Sequence, residues 1–132
     1  MGLGQIVANG LDLTADAVVL PHHGGGFGTP EERQALLDAT RPQYAVASNG
    51  RNRFDNPRED VVRIVRRQGA RMVCTQFANQ CGEVRGERHP PHPACAGDIT
   101  FEFHYERIIF SEEHRHGVFV DLIGDTALCR NA

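Results

Sequence analysis

With 132 residues, 40% of them hydrophobic and 23% charged, the chain is long enough to bury a core without covalent staples and reads as one domain or part of one, residues 1–132. A formal charge of −3 argues against bulk electrostatic attraction to nucleic acid, and no window nears the roughly 18 apolar residues of a membrane span. No charged-then-apolar leader is found, so a cytoplasmic location is expected.

All 14 basic residues are arginine, which suits bidentate phosphate contacts and equally marks a GC-rich genome. Four cysteines, Cys74, Cys81, Cys95 and Cys129, are too few and too spread for a small secreted disulfide scaffold. In a reducing compartment they are thiols or metal ligands.

In chain order, "QIVANGLDL" reads as a partial strand and turn. "DAVVLP" (16–21) is a short apolar run, the pattern of a strand buried on both faces. His22, His23 and the glycines Gly24–Gly26 follow it. Thr29-Pro30-Glu31-Glu32 then predicts a helix start, with an N-cap, proline in the first turn and a capping-box glutamate. That helix is expected to run to about Ala39. "QYAVAS" (43–48) predicts a second buried strand and "NGRNRFDN" a polar loop.

Asn56-Pro57 predicts a second helix begun by the same device, with Asn56 as its cap. Val61, Val62, Ile64 and Val65 face inward, Arg63, Arg66 and Arg67 face out, and Gly69 ends it. "RMVCTQ" (71–76) predicts a third strand. Strand–helix–strand–helix–strand argues for a layered α/β domain. Residues 77–97 carry Gly, Pro, Arg, His and Cys without periodicity and read as an irregular loop. "DITFEFHY" and "GVFVDLI" read as added antiparallel strands.

A histidine pair at the carboxyl end of a buried strand stands where ligands bind in open α/β sheets, and the glycines behind it allow close approach of the backbone. The bland alternative is a pair of core histidines followed by an ordinary turn. Cys81, His92 and Cys95 have a spacing open to a structural zinc site, a Cys81–Cys95 disulfide, or plain thiols. His104, His114 and His116 are expected at the surface or across strands, and Glu112, Glu113, Asp121 and Asp125 at solvated edges.

The ordered set "LTADAVVLPHHGG", "LLDATRPQYAVASNGRNRFDNP" and "VVRIVRRQGARMVCTQ", covering roughly residues 13–76, resembles the C-terminal half of a metallo-β-lactamase-fold domain. It is most similar to the hydrolase domain attached to ComEC-type DNA-uptake channels and to its free-standing bacterial relatives. The resemblance implies half of an αββα sandwich, with one or two zinc or manganese ions at its edge. It implies that His22 or His23 supplies the last metal-binding histidine, and that the loop bearing Ser48, Asn49 and Asn52 borders the substrate. In the family, a His-x-His-x-Asp-His run, a further histidine and a bridging aspartate complete the site.

No such run occurs in this sequence, where His114-x-His116 lacks the Asp-His continuation, and Asn56 stands where the family usually has a histidine. The chain alone is therefore expected to be inactive. It is a piece of a longer hydrolase, the partner of another chain or copy, or a form that has lost catalysis; the first is the expectation. The implied substrate is a phosphodiester, nucleic acid or another ester. The rival from a different class is a non-catalytic binding or assembly module, using the arginine-bearing second helix and the cysteine loop. Half of a sandwich also leaves a sheet face in need of a partner.

Overall fold

The computed structural model describes residues 9–49, 55–76, 81, 97–124 and 129. Three short strands, β1 (Ala17–Val19), β2 (Tyr44–Ala47) and β3 (Arg71–Cys74), form a parallel sheet in the order β1-β2-β3. Val18 lies opposite Ala45, and Val46 opposite Val73. Two helices, α1 (Pro30–Thr40) and α2 (Glu59–Arg67), make the crossovers. This is the α/β layering that the alternation of patterns predicts.

Local chemistry explains where α1 begins. The Thr29 hydroxyl accepts from the Glu32 amide at 3.2 Å, and Glu32 accepts the Thr29 amide at 2.8 Å, a complete capping box. Arg33, Leu36, Leu37 and Thr40 are its buried residues, at the i, i+3, i+4, i+7 spacing of one helix face. In α2 the buried residues are Val61, Val62, Ile64 and Val65, while Arg63, Arg66 and Arg67 are exposed. Gly69, at φ 81°, follows the helix in a left-handed conformation.

Side chains alternate across the sheet, and so build two cores. Ala45, Ala47, Met72 and Cys74 pack with Leu37, Val61, Val62 and Val65 beneath the helices. On the opposite face Tyr44 and Val73 meet Phe101 and Phe110. The ring of Tyr44 lies 5.1 Å from that of Phe101 and 5.9 Å from that of Phe110. The second face is thus partly covered from within the chain, by an antiparallel hairpin of β4 (Phe101–His104) and β5 (Arg107–Phe110).

Four expectations are corrected. First, β4 pairs with Arg107–Phe110, not with "GVFVDLI". The hairpin has a two-residue loop, Tyr105-Glu106, which lacks the usual Gly, Asn or Asp signal; Tyr105 itself takes φ 53°. Second, "GVFVDLI" belongs to a helix, α3 (Glu113–Ile123). Among its described side chains, His116, Val120 and Ile123, spaced i, i+4, i+7, turn inward. Counting His116 as polar hides this period, and the short apolar run then mimics a strand.

His116 is accordingly no surface residue: it is fully buried, edge-on to Phe110 at 5.8 Å. Third, β1 is not buried on both faces: among the described residues it lies at the edge of the sheet, and Val19 is 65% exposed. Fourth, α2 begins at Glu59 with Arg58 in the N-cap position and no side-chain cap. Asn56 lies two residues before that position, and its amide is spent on the His22 carbonyl, 3.3 Å away. His104 and His114 are exposed, as are Glu113 and Asp121, while Glu112 accepts the Thr100 amide at 2.8 Å. Asp125 lies outside the described residues. Among the described residues, no helix is long and apolar enough to cross a membrane.

Candidate functional site

The carboxyl ends of all three strands open on one edge of the sheet. β1 reaches it first. The Leu20 amide donates to the Val46 carbonyl at 2.8 Å, and the Leu20 side chain is buried. This prolongs the strand by one anchored residue before Pro21 turns the chain. His22 (φ 55°, ψ 33°), His23 (φ 60°, ψ 27°) and Gly24 (φ 77°) then run through the left-handed region in succession. For the two histidines this costs about 1–2 kcal/mol each. Such strain persists only where surrounding contacts over-determine it.

The contacts that do so are local and specific. The Gly25 amide closes the turn onto the His22 carbonyl at 2.8 Å. The same carbonyl accepts from Asn56, and the Arg58 amide donates to the Gly24 carbonyl at 2.9 Å. A Cβ on Gly24 would stand 2.7 Å from the Pro57 Cβ, so only glycine lets the two loops touch. Both imidazoles are exposed, and both direct Nδ1 at a backbone carbonyl. His22 faces Gly26 at 3.3 Å, and His23 faces Ser48, at the end of β2, at 2.5 Å.

A carbonyl can only accept, so each Nδ1 carries the proton. The neutral ring then holds its lone pair on Nε2, the form a metal ion takes up. Because the strand pairing ends at Leu20, before Pro21, the side-to-side alternation of successive strand residues does not govern the pair. Both rings meet the backbone in the same way.

Ser48 is exposed beside His23. Asn49 is buried and saturated. Its amide nitrogen donates to the Gln76 carbonyl at 3.0 Å, and its oxygen accepts the Gln76 amide at 3.1 Å. Thr75 donates its hydroxyl to the Asn49 carbonyl at 2.8 Å. Asn49 thus ties the end of β2 to the end of β3. Asn52, His92 and Cys95 lie outside the described residues, as does most of the 77–97 segment; Cys81 is buried.

Sequence reasoning missed the residue that holds the glycine loop from behind. Arg33, buried on the inner side of α1, donates to the Phe27 carbonyl at 2.7 Å, the Gly28 carbonyl at 3.1 Å and Asp60 at 2.7 Å. Its position three residues before Leu36, on the apolar stripe, is the signal that could have found it. Arg58 adds a 3.0 Å contact to Asp60. Burial pushes the Asp60 carboxyl up, but the Arg58 hydrogen bond and the charges of Arg58 and Arg33 outweigh it. Asp60 is held below the ordinary carboxylate value.

Among the described residues, no three His, Cys, Asp or Glu side chains are grouped so that they could hold a metal ion. No protein-family model, curated protein or solved structure matches the chain.

Proposed function

We propose that this chain is the C-terminal part of a metallo-β-lactamase-fold hydrolase of the ComEC-like branch. The substrate class in this reading is a phosphodiester or another ester, and the metal is zinc or manganese. The observation that supports it most is the pair of contacts from Nδ1 of His22 and His23 to backbone carbonyls, an arrangement that in a neutral ring puts the lone pair on Nε2. Histidine ligands of metal ions are commonly oriented by such a carbonyl.

When bound, an ion at this edge polarises an ester oxygen and acidifies a water molecule. The residues of this chain bind and position. His22 or His23 supplies one ligand, the Ser48 carbonyl aims the His23 ring, and the exposed Ser48 side chain stands on the substrate side. Asn49 keeps that loop in register with β3. The remaining ligands come from elsewhere: the other half of the domain, a partner chain or a second copy. The lack of a His-x-His-x-Asp-His run in the sequence is also what supports the second reading, a non-catalytic binding or assembly module derived from the same fold.

Zinc titration followed by nitrogen-15 NMR of the histidine rings tests the proposal. The Nε2 resonance of His22 or His23 is expected to respond at lower zinc than those of exposed His104 and His114. Equal response of all four rings would overturn the ligand role. The purified chain is expected to hydrolyse no ester or nucleic acid. Metal-dependent turnover, abolished by changing both His22 and His23 to Ala, would overturn the reading that the site is incomplete.

A further inference from the structure

Of Cys81, His92 and Cys95, Cys81 alone lies among the described residues. Cys74, Cys81 and Cys129 all belong to the main core. Two of them touch. Cys74 ends β3, and Cys129, 55 residues later, donates its thiol to the Cys74 sulfur at an Sγ–Sγ distance of 3.4 Å. Cys74 is 1% exposed and Cys129 4%.

A disulfide bond is about 2.05 Å long, so the two sulfurs need to close by roughly 1.4 Å, a shift that side-chain rotation can provide. Among the described residues no three potential ligands converge on one centre. Cys74 and Cys129 lie in direct sulfur–sulfur contact within the core. The fixed end is the strand: β3 is hydrogen-bonded to β2 in the sheet, and Cys74 lies opposite Ala47.

We propose that Cys74 and Cys129 are a disulfide-forming pair, oxidised by thiol–disulfide exchange with a low-molecular-weight disulfide such as oxidised glutathione. The Cys129 thiolate, on the slightly more exposed residue, attacks one sulfur of the small disulfide. The other half leaves as a thiolate and takes up a proton. Cys74, as thiolate, then attacks the Cys129 sulfur of the mixed disulfide and expels the second small thiol. In balance, two protein thiols lose two electrons and two protons, and one small disulfide becomes two thiols. Burial makes the first attack depend on local opening, so the exchange is slow in the native state and faster where urea promotes opening. Once formed, the bond ties Cys129 to the sheet and restricts the unfolded chain. The inference is independent of the histidine edge.

The test is incubation of the full chain with oxidised glutathione, acid quenching, intact mass and peptide mapping. The expected product has lost two hydrogens, yields a cross-linked peptide joining Cys74 to Cys129, and has a higher urea midpoint than the reduced chain. Cys129→Ser is expected to lose both the cross-link and the midpoint shift, whereas Cys81→Ser keeps them. The wild-type peptide map decides the matter should Cys129→Ser not fold. A cross-link through Cys81, a stable glutathione adduct without ring closure, or stoichiometric zinc that blocks exchange until chelated would each overturn the proposal.

Discussion

Replacing Gly24 with Ala tests whether the histidine turn and the Asn56-Pro57 segment are held together by close backbone contact. Gly24 sits at φ 77°, where a Cβ costs about 1–2 kcal/mol. The new methyl would also stand 2.7 Å from the Pro57 Cβ and 3.2 Å from its Cα. Neither neighbour is the end of a flexible side chain, so the loops must part, an overpacking cost of about 1–3 kcal/mol. The expected loss is therefore roughly 2–5 kcal/mol.

Gly69 provides the internal reference. Its φ of 81° is nearly the same, but nothing lies within 4 Å of where its Cβ would be. Gly69→Ala carries the conformational cost alone, so Gly24→Ala exceeds it by about 1–3 kcal/mol. Equilibrium urea unfolding reads that excess as a midpoint lower by about 1 M. The same substitution is expected to shift the ring resonances of His23, because parting the loops draws its Nδ1 from the Ser48 carbonyl. Equal destabilisation by the two alanines, with His23 unmoved, would refute the close-contact argument.

Two further outcomes follow from the same edge. Asn49→Ala strips the Gln76 amide and carbonyl of their partner and is expected to cost about 2–4 kcal/mol in urea unfolding; a loss under about 0.5 kcal/mol would mean that water replaces the side chain. Asp60 titrates lower in the folded chain than its ordinary value of 3.8, so its contribution is complete above that value and is lost as pH falls through the lower folded one. The stability difference between wild type and Asp60→Asn is therefore expected to shrink between about pH 5 and pH 2, and a pH-independent difference would remove Asp60 from the acid response.

Much of the α/β frame is legible in the sequence, because it is written in local chemistry. The Thr29–Glu32 box, the valines of α2 and the apolar runs of β2 and β3 act over one to three turns or a few strand residues. The His22–His23 pair is legible for the same reason, as an unusual ending to an apolar run. What tertiary structure decided is everything that depends on a distant neighbour. "GVFVDLI" became helical because buried His116 completes an apolar face. Asn56 gave up the helix cap because Gly24 admits Pro57 beneath the histidine turn. The Nδ1 atoms of the pair meet the carbonyls of Gly26 and Ser48, the latter brought in by a neighbouring strand. Cys74 met Cys129 across 55 residues of chain. Periodicity and capping report what a residue prefers next to its sequence neighbours; partners, burial and tautomer are set by residues that only folding brings within a few ångströms.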